Sequence, residues 1–244
     1  MDFKAKFEEK LAEREPSYIV KGVITADDLI YPLGSDTKVL STIFESIARP
    51  LVYSIAADHG LDVWEPRVQN SYPDFTLMEN EEDEAKIAVD VKTTYRDGEH
   101  DRVSFTLGGY TSFLRSENKN IEFPYSQYAA HWVIGYIYRR WPADQPPAHA
   151  YRVDQIDEVP PPYRDVQVFV QEKWRIAGDS AGSGNTTNIG SIRGRLADFE
   201  AGNGVFQTYE EYLDYWRNYE RTAAERADKF SNVNQYRVWR GNGA

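Results

Sequence analysis

The chain has no cysteine, and only 2 methionines and 4 histidines among 244 residues. Without cysteine there is no disulfide and no thiolate-bound zinc. The histidines, His59, His100, His131 and His149, are scattered and show no zinc-like spacing, so they read as structural. A cysteine nucleophile is excluded as well. No apolar run is long enough to span a bilayer, and no basic-then-apolar leader opens the chain. The opening MDFKAKFEEKLAER reads instead as a charged amphipathic helix over about Asp2 to Glu13. The cytoplasm is the expected compartment, with no membrane partner. Internal repeats and low-complexity segments are also missing.

What is present is a globular composition, 41% hydrophobic and 27% charged, in a chain long enough to bury a real core. The net charge of −11 argues, taken alone, against a nucleic-acid partner. Its distribution matters more. Acid gathers in the first helix and in Glu79 to Glu84, whereas Ala181 to Leu196 holds no Asp or Glu and carries Arg193 and Arg195. Arginine outnumbers lysine heavily. An acid-rich, lysine-poor surface is one way to stay hydrated in high salt, so a salt-adapted protein is expected.

Ser17 to Ile30 is rich in β-branched residues, with a turn at Ala26 to Asp28, and reads as a hairpin whose edge suits a second subunit. Ser35, Asp36 or Thr37 caps a helix running to about His59. Pro50 is expected to kink or break it. Leu61 to Glu65 reads as a strand. Val103 to Leu107 is expected to continue the same sheet, ended by Gly108 and Gly109. Tyr128 to Arg140 tilts to strand by its aromatic and β-branched content. Val166 to Trp174 reads as a central strand, and Gly178 to Gly190 as a long loop of small residues. Helices follow, over Tyr209 to Ala227 and from about Asp228. The order implies an α/β or α+β fold: a mixed central β-sheet flanked by helices.

The chemistry concentrates in Tyr72 to Tyr95, YPDFTLMENEEDEAKIAVDVKTTY. Two alternating apolar segments flank an acidic turn, and each side delivers a carboxylate, Asp74 and Asp90. Residues i and i+2 share a strand face, so Asp90 and Lys92 project together. A D-x-K triplet alone is as well explained by an exposed salt bridge. An acid on the neighbouring strand and an apolar strand interior favour a site, since a charge on such a face costs desolvation unless something compensates it. Two carboxylates with an ammonium suit Mg2+, a hard ion that takes oxygen ligands. Glu45 reads either as a solvated helix residue or as an auxiliary acid, with Lys38 one to two turns earlier. The loop Gly182 to Asn188, GSGNTTN, is either a flexible linker or a base-reading loop, because Asn bonds adenine edges and Thr methyls meet thymine. It lacks the Lys-Ser/Thr ending of a phosphate-binding P-loop. The loop before Asp74, with Gln69 and Asn70, is either a polar turn or a groove contact.

Pro73-Asp74 with Asp90-Val91-Lys92 resembles the PD-(D/E)xK nuclease motif. Longer runs resemble type II restriction endonucleases of that superfamily: Ile30 to Glu45, Tyr72 to Leu77, Lys92 to Tyr95, Phe105 to Phe113, Ala181 to Ile192 and Leu213 to Thr222. The resemblance implies a restriction-endonuclease-like core over residues 1–244, with a dimerisation part at about 17–32 and 141–163. It implies a homodimer that cuts double-stranded DNA at the centre of GATATC, leaving blunt ends, with Mg2+ as cofactor. By it Asp74, Asp90 and Lys92 are catalytic, Glu45 auxiliary, and Asp74, Asp90 and Glu45 the metal ligands. Gly182, Ser183, Gly184, Asn185, Thr186 and Thr187 would form the recognition loop, with Gln69 and Asn70 on the minor-groove side. Lys38 would lie near the scissile phosphate, and Thr94, Tyr95, Ser112, Lys119, Asn188 and Arg221 near other phosphates. The chain departs from the pattern at Ala223, where a serine is expected, and in a less basic C-terminus. The rivals are a sequence-nonspecific repair nuclease and a non-catalytic DNA-binding regulator on a nuclease core.

Overall fold

The computed structural model describes residues 1–13, 18–68, 71–96, 100–141, 147–182 and 187–242. In chain order the elements are α1 (Phe3–Glu13), β1 (Gly22–Ile24), β2 (Leu29–Pro32), α2 (Thr37–Asp58), β3 (Asp62–Trp64) and β4 (Phe75–Met78). Then come β5 (Lys86–Arg96), β6 (Thr106–Gly109), β7 (Tyr128–Arg140), β8 (Tyr151–Arg152) and β9 (Tyr163–Glu172). The C-terminal third holds α3 (Lys173–Ile176), β10 (Ala177–Ala181), β11 (Asn188–Ser191), α4 (Leu196–Ala201), α5 (Tyr209–Asn218), α6 (Ala223–Asp228) and α7 (Val233–Gly241).

The frame is a five-stranded mixed sheet in the order β3-β4-β5-β7-β9. Strands β5 and β7 pair in parallel, and the other neighbours pair antiparallel. Alternation sorts the side chains of β5 to two faces. Ile87, Val89 and Val91 join a core with Phe3 and Phe7 of α1 and Leu40, Phe44 and Val52 of α2. Ala88 faces the other core, which collects Phe105, Phe169, Phe199, Tyr212, Tyr215 and Trp216. The expected α+β architecture, a mixed sheet flanked by helices, is what the chain adopts.

Helix α2 starts where the Asp36 carboxylate accepts the N–H groups of Lys38 (2.9 Å) and Val39 (3.2 Å), satisfying donors a helix start leaves open. It continues past Pro50 as one element, so the expected break does not occur. Pro50 is exposed and lies off the buried stripe, where Ala48, Val52 and Ile55 hold the helix in the core. By length and composition α2 is apolar enough to cross a membrane, but its buried stripe is spent on this internal contact.

Three other expectations are corrected. Val103 to Leu107 does not extend the main sheet: β6 pairs with β11 in a separate sheet of order β10-β11-β6. Val103, Phe105 and Leu107 are buried beneath the aromatic core instead. Strand β9 is an edge strand, not a central one; α1 and α4 pack against it, which explains its apolar character. Residues 178–190 are not one loop, because β10 and β11 occupy both ends of the stretch. The hairpin β1–β2 pairs with β8, so Gly22–Pro32 and Tyr151–Arg152 meet in a third sheet.

Gly135 in β7 lies under the Phe169 ring: a methyl group there would stand 2.1 Å from Phe169 Cε1. The ring is boxed in by Phe105 and Phe199 at 5.6 and 5.2 Å. Gly135→Ala is expected to destabilise the fold by about 1–3 kcal/mol through overpacking. Urea unfolding checks this, and an unchanged midpoint would contradict it.

Candidate active site

Strands β4 and β5 are in register with Phe75 opposite Val89 and Thr76 opposite Ala88. One step further along, Asp74 falls beside Asp90, on the face opposite Phe75 and Val89. The backbone closes the gap: the Val91 N–H donates to Asp74 Oδ2 at 2.6 Å. Lys92 Nζ lies 2.8 Å from Asp90 Oδ1. The two carboxylates and the ammonium therefore stand together, as the alternation requires.

They line a cleft of about 820 Å³ shared with Ser41, Glu45, Ser112, Lys119, Thr187 and Asn188. A connected lobe of about 400 Å³, again lined by Glu45, Asp74 and Lys92, reaches Thr94, Ser104 and Thr106. Helix α2 thus delivers Glu45 to the carboxylate pair from outside the sheet. Gly182 stands beside Thr106 and donates its N–H to the Asn188 carbonyl at 2.9 Å. Gln69, Asn70, Ser183, Gly184, Asn185 and Thr186 lie outside the described residues. Val68, Ser71, Thr187 and Asn188, which are described, line the cleft. Three expected contacts stand apart. Lys38 is exposed on the first turn of α2, and Arg221 is exposed between α5 and α6. The Tyr95 ring is covered by the Arg140 guanidinium at 3.8 Å.

Lys173 carries no signal in the sequence. Its side chain is 1% exposed, and Nζ lies 3.5 Å from Asp90 Oδ2. Asp90 is therefore flanked by two ammonium groups, one on each oxygen. The second comes from residue 173, more than eighty positions away, and no local pattern marks it.

The ionisation balance is uneven. Burial pushes the Asp74 carboxyl up to about 7, against the pull of Lys92 and with the Asp90 charge adding to the rise. Burial acts on Asp90 too, but Lys92 and Lys173 outweigh it and hold that carboxyl below its ordinary value. Burial would lower Lys92, but Asp90 and Asp74 outweigh it, so its ammonium is strengthened and cannot serve as a base at neutral pH. Burial lowers Lys173 to about 8, with Asp90 acting in the opposite sense. Burial also raises Glu45. The cleft side is therefore short of positive charge at Asp74 and Glu45. An oxygen donor set with that deficit fits a divalent cation. Among the described residues no three His, Asp or Glu side chains form a ready-made cage. Asp74 and Asp90 are the oxygen donors that would hold such a cation, and Glu45 lines the same cleft.

The family model of the restriction endonuclease EcoRV matches residues 14–241. The chain belongs to that family. The type II restriction enzyme EcoRV of Escherichia coli is 54% identical over 229 residues, covering 94% of each chain. The solved NlaIV restriction endonuclease superposes over 99% of this chain and 89% of its own, with TM-score 0.44 and 10% identity, a similarity too low to bear on function.

The raised Asp74 value has a stability consequence. Between its ordinary value of 3.8 and about 7 the folded state holds a proton the unfolded state has lost. Stability therefore falls as pH rises through that window. Asp74→Asn removes this loss. In metal-free buffer at pH 8 the variant is expected to be more stable than the parent by roughly 1–2 kcal/mol, after discounting for screening. The gain should shrink towards pH 4. Thermal melts across pH test this, and a gain independent of pH would contradict it.

Proposed function

We propose that this type II restriction endonuclease is a homodimer that cuts double-stranded DNA at the centre of GATATC, using Mg2+ and leaving blunt ends. The observation that carries the reading is the pair Asp74 and Asp90 beside Lys92, on one face of the sheet, lining a cleft shared with Glu45, Ser112 and Lys119. When bound, Mg2+ supplies positive charge at the scissile phosphate and makes water more acidic. Asp74 and Asp90 are the residues that would hold it, with Asp74 as its carboxylate. Lys92 remains an ammonium, orients the attacking water and offsets charge on the phosphate oxygens. Water attacks in line, the bond from phosphorus to the 3′ oxygen breaks, and a 5′-phosphate and a 3′-hydroxyl result.

Asn185 and Thr186 read the outer base pairs from the major groove, with Gln69 and Asn70 on the minor-groove side. Lys38, Thr94, Tyr95, Ser112, Lys119, Asn188 and Arg221 meet phosphates. The central TA step is read through its ease of kinking. Dimerisation uses the β1–β2–β8 sheet, whose region exposes Val23, Ile24, Tyr31, Val153 and Ile156. Clustered apolar exposure of this kind marks association surfaces. The acidic surface suits a high salt optimum.

The test is digestion of DNA of known sequence with Mg2+ across a salt series, followed by sequencing of the ends. Discrete blunt ends within GATATC are expected, with activity rising from dilute to concentrated salt. Smeared products would point to a nonspecific nuclease, and steep loss of activity with added salt would remove the salt adaptation. Asp90→Ala is expected to lower cleavage by at least about 10³-fold while DNA still binds in a gel shift. Undiminished cutting by that variant would overturn the site. Asn185→Ala is expected to relax discrimination at adenine, visible as new bands in a plasmid digest.

A further inference from the structure

Lys173 is the first residue of α3, at the end of edge strand β9, yet its ammonium reaches under the middle of the sheet. There it touches two things. Nζ is 3.5 Å from Asp90 Oδ2, an oxygen sealed from solvent with no hydrogen-bond partner among the described residues. It is also 3.7 Å from the centroid of the Tyr72 ring and 5.4 Å from that of Phe113. The Tyr72 ring is itself fixed, stacked on Phe113 at 4.4 Å and bonded through its hydroxyl to His131 Nδ1 at 2.8 Å. Its backbone is tied on both sides, with the N–H donating to the Asn120 carbonyl and the carbonyl accepting from the Glu122 N–H, each at 3.0 Å. Tyr72 is two residues from Asp74. A cation over an aromatic face and beside a carboxylate is attracted by both.

We propose that Lys173 is a positioning residue that clamps the carboxylate pair: its ammonium joins Asp90 on β5 to the Tyr72–Asp74 segment entering β4. It occupies the sealed oxygen of Asp90, so that carboxylate has one orientation and presents its other oxygen towards Lys92. Lys173 touches no substrate and acts through Asp90 and Tyr72. Its part in cleavage rests on the nuclease reading above, whereas its part in holding the pair does not.

The test is a pair of measurements on the full chain. In metal-free buffer, Lys173→Met is compared in the parent and in an Asp90→Asn background. With Asp90 neutral, the buried ammonium has lost its counter-charge, so the double variant is expected to melt higher than Asp90→Asn alone. This comparison stands even where the single Lys173→Met variant fails to fold. A double variant that melts lower than Asp90→Asn would overturn the clamp, because Lys173 would then serve only as packing. The second measurement is steady-state cleavage by Lys173→Gln, which keeps a donor but not the charge. A misplaced carboxylate should lower kcat by roughly 10²-fold while KM for DNA stays within about twofold. Unchanged kcat would overturn the positioning role. A parent protein that cleaves no DNA, together with the expected melting order, would sink the nuclease reading and leave the clamp standing.

Discussion

Everything at the active site depends on keeping Asp90 ionised at a place that is only 3% exposed. A lone carboxylate there would take up a proton, because desolvation penalises the charged form. Two ammonium groups prevent this, Lys92 at 2.8 Å from the same strand and Lys173 at 3.5 Å from a distant one. Asp74, one strand away, has a backbone N–H but, among the described residues, no ammonium of its own within ion-pair distance, and its carboxyl is raised to about 7. The same face thus carries one charged and one reluctant carboxylate. A divalent cation is the addition that would satisfy both.

The sheet makes this possible by separating its faces. The α1–α2 side is filled by Phe44, Val89, Val91 and Tyr136, and it anchors β5 firmly. The opposite face is free to carry Asp74, Asp90 and Lys92 at its open end, with the aromatic core of the C-terminal helices filling the rest. Glu45 is reached because the first half of α2, held in the core by Leu40, Phe44 and Ala48, lies against the sheet. Net charge says little about such a site. The acidic turn at 79–84 joins the far ends of β4 and β5, away from the end that carries Asp74.

Local rules made much of this legible. The Asp36 cap, the β4–β5 hairpin and the shared face of Asp90 and Lys92 follow from short-range chemistry and strand alternation. The family followed from long runs such as Ala181 to Ile192, which carry more information than the three-residue metal motif. What stayed hidden is non-local. Lys173 reads as an ordinary charge at a strand end, and only the pairing of β7 with both β5 and β9 brings it under Asp90. Val103 to Leu107 alternates like any strand, and nothing in the alternation tells which sheet it joins. Strand β9 looks central because helices cover it, and coverage is a tertiary fact. Pro50 does not break α2, and its exposed position on the helix is not legible in the sequence.

If Asp74 and Asp90 together form the proposed cation site, a divalent ion belongs between them and the DNA. Anomalous scattering from crystals of the protein with cognate DNA, soaked in Mn2+ as a substitute for Mg2+, tests this most directly. A peak bonded to both carboxylates and to an oxygen of the phosphate to be cut is expected. A peak at another group of residues, with cleavage proceeding in the same crystals, would contradict it.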